Sequence, residues 1–312
     1  MGYVFGFVAA LLFGANGSVA KVILENGLNP AQVTQFRTLG TCILAAAVLA
    51  VTDRSAFRLR PRQIGAMAIL GVVGVAALQV TYAYAIQLLP VGIALLFEYL
   101  AVLIVAVVAF FFLKEKVKTR LWIAIGFVLV GLAVVAQVWS STLDPFGVLM
   151  ALLAAVTLAI YFLVGERQVT STSPLAVAFW TSGFATLAWA PFSGWWDVDP
   201  ALALERVSLG GNLADVVVPL WIPLLSLIVL GSFAPFLFSS AAIGRLKATP
   251  AGIVASSEVI FAFVVAWLWL GEKLDALQLV GAAVVLAGII LAQTARSNRV
   301  VDADLAIERP LT

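Results

Sequence analysis

The sequence predicts an all-α integral membrane protein with ten transmembrane helices, arranged as two inverted five-helix repeats. Its composition indicates the class, because 63% of the 312 residues are hydrophobic and only 11% are charged. Soluble domains are usually ~45–50% apolar and ~25% charged. A water-soluble fold of this size could not bury so much apolar surface, whereas a lipid bilayer solvates it. A spanning helix takes roughly 20 mainly apolar residues, so ten such helices would use most of the chain.

Ten apolar runs, separated by charged breaks or by breaks with proline or glycine, give the predicted helices. Spans 1 to 5 are expected near residues 2–23, 31–52, 64–87, 91–113 and 120–138. Spans 6 to 10 are expected near residues 145–165, 174–192, 217–240, 249–270 and 275–294. Each run is apolar on all sides, which suits a helix in lipid that satisfies its backbone polar groups internally. No basic region precedes the first run, and we interpret it as span 1 rather than as a removable signal.

The positive charges predict the orientation, since arginines and lysines in short loops stay on the cytoplasmic side. They follow the even-numbered spans at positions 54, 58, 60 and 62, at 114, 116, 118 and 120, at 167, at 245 and 247, and at 296, 299 and 309. The other side has only Lys21, Arg206 and Lys273. We therefore expect both termini to be cytoplasmic in a bacterial-type inner membrane, which requires an even number of spans.

The composition also limits the function. The net charge of +2 is too small to indicate a nucleic-acid partner. Cys42 is the single cysteine and histidine is absent, so the chain offers no internal disulfide and lacks the commonest metal ligand and proton shuttle. It has no paired-aspartate motif, no serine-based dyad at a recognisable spacing and no metal-ligand cluster. We expect no enzyme activity, no cofactor and no bound metal.

An internal repeat divides the chain into halves. Pro90-Val91-Gly92-Ile93 precedes Glu98, and Pro250-Ala251-Gly252-Ile253 precedes Glu258 at the same spacing. Spans 4 and 9 are followed by Leu113-Lys114-Glu115-Lys116 and Leu270-Gly271-Glu272-Lys273. Because each half has five spans, the second copy enters the membrane from the opposite side, as in many secondary transporters. We assign residues 1–140 to the first repeat, 141–295 to the second and 296–312 to a cytoplasmic tail.

These motifs resemble the drug/metabolite transporter superfamily, and specifically its EamA family. The residues that carry the resemblance are Phe13-Gly14 through Lys21, Phe36-Arg37 and the two motifs that follow spans 4 and 9. The run from Tyr84 through Ala94 to Glu98 is similar to the threonine/homoserine exporter branch, although no proline closely follows Glu98 or Glu258. The resemblance implies export of amino acids or related small metabolites by alternating access. The rival interpretation is a multidrug-type efflux carrier for lipophilic cations, which needs only an acidic, aromatic pocket.

Three charged residues, Arg37, Glu98 and Glu258, lie inside predicted spans. An unpaired charge at the bilayer centre costs roughly 2.5–3.5 kcal/mol or more, so such residues face the bundle interior and mark a pathway. Arg37 and Glu98 each lie roughly 10 Å from the same membrane surface and could meet. Aligning the prolines that open spans 2 and 7 pairs Arg37 with Thr181, so the arginine is not duplicated.

Each of these charges has two interpretations. Arg37 binds a substrate carboxylate or closes an outer gate through Glu98, or else it extends to the lipid headgroups. Glu98 couples transport to protons, or else it forms a structural hydrogen bond or ion pair. For Glu258 the structural role is the preferred interpretation. Further candidates are the polar residues at mid-span, which suit a zwitterionic or partly apolar solute: Asn16, Thr38, Gln79, Tyr82, Tyr161 and Trp180.

Each of those further candidates could instead form a hydrogen bond between helices. Gly2 and Gly6 form a small-residue face of the kind that allows close helix packing. That face is compatible with packing inside a monomer and with a homodimer.

Overall fold

The computed structural model describes residues 1–59, 61–111, 119–137, 143–169, 173–243, 245–246 and 248–295. Within these ranges, eight helices are long and apolar enough to cross a membrane. The shorter apolar helices Thr119–Val135 and Ala276–Ala292 correspond to the remaining two predicted spans. The all-α membrane fold predicted from composition is thereby confirmed. The motif at 113–116, the charges at 60, 114, 116, 118 and 247, and the tail at 296–312 lie outside the described residues.

Of the first five spans, three are continuous helices and two are interrupted. Spans 1, 2 and 5 are Gly2–Glu25, Pro30–Thr52 and Thr119–Val135. Span 3 runs through Pro61–Ile69, a π-helical segment Leu70–Ala77, and Leu78–Leu88. Span 4, predicted as one helix, is broken into Val91–Glu98 and Ala101–Phe111. At this break the Leu100 amide donates to the Phe97 carbonyl at 3.1 Å, three residues back instead of four.

The second five spans have a matching interruption in their third member. Spans 6, 7 and 10 are Pro145–Val169, Pro174–Ser193 and Ala276–Ala295. Span 8 runs through Trp221–Ile228, a π-helical segment Val229–Phe233, and Ala234–Ile243. Span 9 is Ala248–Val265 followed by a π-helical segment, Ala266–Leu270. Spans 3 and 8, which correspond in the repeat, therefore both contain a π-helical segment.

Local chemistry explains where spans 2 and 7 begin. Asn29 Oδ1 accepts a 2.9 Å hydrogen bond from the Gln32 amide, and Gln32 Oε1 accepts one of 3.0 Å from the Asn29 amide. This reciprocal capping satisfies two amides that the first helical turn leaves free. Ser173 Oγ caps span 7 by accepting from the Ala176 amide at 3.3 Å. Pro30 and Pro174 follow the caps, at positions where a missing N–H costs nothing.

A folded segment, residues 194–220, covers one end of the bundle, which we call the hairpin side. It contains the antiparallel strands Arg206–Ser208 (β1) and Val217–Pro219 (β2), with Val207 opposite Val218. Span 8 therefore begins at Trp221, later than the predicted 217, because residues 217–219 pair with β1 instead of continuing the helix.

Hydrogen bonds attach this segment to the ends of spans 1 and 9. Trp269 Nε1 donates to the Leu209 carbonyl at 2.8 Å, and Asn26 Nδ2 donates to the Ser208 carbonyl at 3.2 Å. On the opposite side, Asp53 accepts from both the hydroxyl and the amide of Ser55, and the hydroxyl hydrogen bond lowers the pKa of Asp53.

Glycines let several spans approach closely. A Cβ added to Gly131 in span 5 or to Gly281 in span 10 would lie 2.8 Å from the carbonyl oxygen of the other glycine. A Cβ at Gly14 in span 1 would lie 2.7 Å from the Glu258 carbonyl oxygen in span 9. Small residues at such crossings let helix backbones meet, which is how membrane helices gain packing energy without a hydrophobic driving force.

Candidate functional site

Arg37 extends from span 2 to the π-helical segment of span 8. Its Nε donates to Ser232 Oγ at 2.5 Å, and its Nη2 donates to the Gly231 carbonyl at 3.0 Å. π-Helical segments interrupt the regular helical hydrogen-bond pattern and frequently occur at functional sites. The guanidinium is therefore bound in the bundle interior and does not extend towards the headgroups.

Span 1 contributes a third partner to the arginine. The Asn16 amide satisfies this network with its oxygen facing Arg37, 3.0 Å from Nη2 and 3.3 Å from Nη1. Asn16 and Ser232 are buried, with 7% and 8% of their surface exposed. Spans 1, 2 and 8 thus meet at one guanidinium.

The two repeated glutamates have different environments. Tyr99 Oη donates a 2.8 Å hydrogen bond to Oε2 of Glu258. Tyr99 still continues the helix that carries Glu98, since its amide donates to the Leu95 carbonyl at 3.0 Å; the hydrogen-bond pattern changes only at Leu100, whose amide donates to the Phe97 carbonyl at 3.1 Å. The close approach of Gly14 places the Glu258 backbone against span 1. Glu258, on span 9, thus contacts spans 1 and 4, whereas Glu98 lies at the end of a helix.

Electrostatic interactions connect these groups. Arg37 lies within electrostatic range of Glu98, Glu258 and Tyr82. Among the described residues, neither glutamate forms an ion pair with Arg37 within 4.0 Å. The direct Arg37–Glu98 contact considered from the sequence is therefore replaced by an attraction over a longer distance, which low-dielectric surroundings strengthen.

Tyr82 and Gln79 lie on span 3, beyond its π-helical segment. The Tyr82 hydroxyl fits beside Gly17 of span 1, where an added Cβ would lie 2.6 Å from it. Gln79 Oε1 is buried and accepts no hydrogen bond from any described residue. Such an oxygen is costly to leave unpaired, which makes it an available acceptor for water or for a solute.

The other candidates lie elsewhere or bond within their own helix. Thr38 Oγ1 donates to the Gln35 carbonyl at 3.1 Å, in its own span. Trp180 Nε1 donates to the Ala56 carbonyl at 3.0 Å, on the side opposite the hairpin side. Tyr161 packs with Trp180 around Met67, Leu70 and Val177. The structure thus groups Asn16, Arg37, Tyr82, Glu98 and Glu258, and places Tyr161 and Trp180 in a separate cluster.

Two members of the site were not among the candidates chosen from the sequence: Tyr99, and Ser232, which was noted only as one of several polar residues at mid-span. Tyr99 directly follows Glu98, and consecutive helical residues point about 100° apart, so the spacing gave no reason to group the two side chains. Ser232 is one of several hydroxyl residues in apolar spans, and nothing in its neighbourhood distinguishes it. Both are recognised only through their partners on other spans.

The fold and the buried charges define a class: a multi-pass membrane protein whose spans converge on polar groups in the bundle interior, as in transporters. The sequence profile of the EamA-like transporter family matches residues 1–137 and again residues 145–294. The chain therefore belongs to the EamA-like transporter family, within the drug/metabolite transporter superfamily. The family resemblance identified from the motifs is confirmed, and the threonine/homoserine branch stays an expectation.

Two similar proteins are named as uncharacterized transporters. An uncharacterized transporter of Archaeoglobus fulgidus is 26% identical over 212 residues, which cover 68% of this chain and 70% of that protein. The uncharacterized transporter YdfC of Bacillus subtilis is 26% identical over 267 residues, covering 84% of this chain and 81% of that one. A crystal structure of a protein 16% identical to this chain superposes with a TM-score of 0.61 and covers 99% of both chains. That similarity shows the shared fold.

Proposed function

We propose that this protein is a secondary carrier that exports amino acids or related small carboxylate metabolites by alternating access. The observation that carries the proposal is Arg37, a cation fixed inside the bundle by Ser232, Gly231 and Asn16. A buried arginine is costly, and in membrane proteins such residues mark substrate or ion pathways. In this proposal residues 1–140 and 141–295 are the moving halves, residues 296–312 form the tail, and both termini are cytoplasmic in a bacterial-type inner membrane.

The guanidinium geometry suits a carboxylate. Arginine has five N–H donors in a planar fork. Ser232, Gly231 and Asn16 accept hydrogen bonds from Nε, from both N–H groups of Nη2 and from one N–H group of Nη1. The second N–H group of Nη1 has no partner among the described residues. A substrate carboxylate could bind that donor and displace the Asn16 amide, which is the weaker neutral acceptor.

The asymmetry of the repeat supports a specificity role. Thr181, the counterpart of Arg37, bonds within its own helix to the Val177 carbonyl at 2.7 Å. A Cβ at Gly71, in the π-helical segment of span 3, would lie 2.5 Å from the Thr181 carbonyl oxygen. The second half therefore packs closely at the position where the first half has a charged side chain. A feature present in one half only is suited to selecting a substrate.

We further propose that Glu98 couples transport to protons. Glu98 ends the first part of span 4 and lies within electrostatic range of Glu258 and Arg37. The Tyr99 hydroxyl stabilises Glu258 as a hydrogen-bond acceptor, which suits a structural role. A substrate bound at Arg37 would change the field at Glu98, so occupancy and protonation would be linked.

A carrier for lipophilic cations is the alternative. Two glutamates and the aromatic Tyr82 and Tyr99 would form an acidic, aromatic site. The fixed positive charge of Arg37 opposes such a substrate, since like charges repel strongly at low dielectric. The carboxylate carrier is therefore the better-supported function.

Purified protein in liposomes tests the proposal. The panel would contain amino acids, simple carboxylates, lipophilic phosphonium cations and an uncharged sugar as control, each with and without a pH gradient. We expect saturable uptake and counterflow for carboxylate-bearing solutes. Transport of phosphonium cations alone would establish the alternative, and non-saturable flux without counterflow would contradict a carrier.

A further inference from the structure

An ion pair on the hairpin side joins the two halves of the chain. Lys21 Nζ lies 2.7 Å from Oε1 of Glu272, and their side chains are only 17% and 16% exposed. The second oxygen of Glu272 accepts a 2.8 Å hydrogen bond from the Val91 amide. Lys21 Nζ also donates to the Leu89 carbonyl at 3.2 Å. We call these four residues the latch.

The latch fastens the connection between spans 3 and 4. Leu89 and Val91 flank Pro90, where span 3 has ended and span 4 begins. Lys21 is near the end of span 1, and Glu272 follows span 9. Spans 1 and 9 already pack together at Gly14. The ion pair therefore holds the start of span 4 against a unit formed by spans 1 and 9.

The backbone around Glu272 positions its carboxylate for this contact. Gly271 has φ of +70°, a left-handed conformation that favours glycine, and it ends the π-helical segment of span 9. The turn is closed by the Glu272 amide, which donates to the Ala266 carbonyl at 3.2 Å. The carboxylate then reaches the N-terminus of span 4, where the helix dipole favours a negative charge. Charge-assisted bonds of this kind are stronger than neutral ones.

A short half-helix lies between the latch and the break in span 4. It comprises Val91–Glu98, and its far end carries Glu98. Its first residues pack closely at two glycine positions: a Cβ at Gly17 would lie 2.4 Å from Val91 Cγ1, and one at Gly92 would lie 2.1 Å from Phe263 Cδ1. The helix ends at Tyr99, and the next hydrogen bonds span three residues instead of four, as the Leu100 and Val102 amides donate to the Phe97 and Tyr99 carbonyls. Because the element is buried and packs against spans 1 and 9 at its first residues, it would move as a unit, with the polar contact released at one end and the changed hydrogen-bond pattern at the other.

We propose that Val91–Glu98 is the gate on the hairpin side and that the latch holds it closed. Opening separates Glu272 from Lys21 and Val91, and the half-helix turns about the break at Tyr99 and Leu100. This inference rests on the proposed alternating-access function. Here Val91–Glu98 is the moving element, the latch is the contact that must break, and Glu98 lies on the gate itself.

Distances between two spin labels test the latch without any substrate. In a Cys42→Ala background, the labels would be placed at Gln87, exposed at the end of span 3, and at Leu277, exposed at the start of span 10. The parent is expected to show one main distance. Glu272→Gln and Lys21→Ala should add a longer distance, with the open population raised roughly tenfold (about 1.4 kcal/mol).

Lys273→Ala is the matched control, because Lys273 is exposed and adjacent to the latch. It should leave the distances unchanged. Each variant would first be checked for parent-like elution and thermal unfolding. If Lys21→Ala fails that check, the distance distribution of the isosteric Glu272→Gln variant alone tests the latch. An unchanged distance distribution in folded Glu272→Gln would overturn the latch whatever the transport assay finds. Absence of transport by the parent would overturn the carrier proposal whatever the distances show.

Discussion

The Tyr99 hydroxyl and the Glu258 carboxylate are joined by a 2.8 Å hydrogen bond that links the two repeated halves inside the membrane. Tyr99 belongs to span 4 and Glu258 to span 9, and these spans correspond in the repeat. Tyr99 still has helical backbone, with a φ of −67°, so its phenol leaves the helix one residue after Glu98 and reaches span 9. Glu258 is thus hydrogen-bonded to Tyr99, the residue that follows Glu98, which is the repeat counterpart of Glu258.

Removing the Tyr99 hydroxyl should destabilise the protein. Tyr99→Phe leaves a partly buried carboxylate without its donor, at a cost of roughly 1–3 kcal/mol in the free energy of unfolding. Thermal unfolding in detergent would measure the loss as a lower Tm. Tyr3→Phe is the control, because Tyr3 is 54% exposed and should unfold like the parent. Equal Tm values for the two variants would show that the hydrogen bond does not stabilise the fold.

Replacing Arg37 with lysine should impair substrate binding while keeping the charge. Lysine has no planar fork, so it cannot keep the bonds to Ser232 and Gly231 and still meet a carboxylate. We expect KM for a carboxylate substrate to rise at least about tenfold, or about 1.4 kcal/mol. Liposome uptake would measure it, with Arg54→Lys, at an exposed position beyond span 2, as the control. A parent-like KM in Arg37→Lys would show that Arg37 does not bind the substrate carboxylate through two parallel hydrogen bonds.

Neutralising Glu98 should abolish the response of transport to pH. Glutamine keeps the size of the side chain but cannot gain or lose a proton. In liposomes, Glu98→Gln should show the same uptake with and without a pH gradient, whereas the parent should be stimulated by one. Glu25→Gln is the control at an exposed carboxyl. If the gradient still drives uptake by Glu98→Gln, proton coupling resides elsewhere.

Two glycines of span 5 should respond oppositely to alanine. A Cβ at Gly131 would lie 2.8 Å from the Gly281 carbonyl oxygen, which is backbone and cannot rotate away. Gly131→Ala should therefore cost about 1–3 kcal/mol by overpacking. Gly126 has nothing within 4 Å of an added Cβ, so Gly126→Ala should be neutral or should gain up to about 1 kcal/mol of helix propensity. Thermal unfolding of the pair would measure the difference, and similar Tm values would contradict the observed crossing of spans 5 and 10.

The amino-acid sequence determined the features that depend on local composition. Hydropathy is a property of each segment, so the ten spans and the membrane class follow from it. Asn29 and Gln32 are three residues apart, so their capping contact is also local, and the start of span 2 was predicted within one residue. The repeated glutamates and the unmatched Arg37 are likewise visible without a structure.

Only the tertiary structure decided which of these residues meet. The Arg37 partner Ser232 is 195 residues away in the sequence, and the Glu258 partner Tyr99 is 159 away. The break in span 4 and the strand at Val217–Pro219 were also missed, because both residue runs are apolar and resemble helix continuing through lipid. The physical reason is the same in each case. An apolar sequence specifies that a segment leaves water, whereas its hydrogen-bond partners are fixed by distant spans packing beside it.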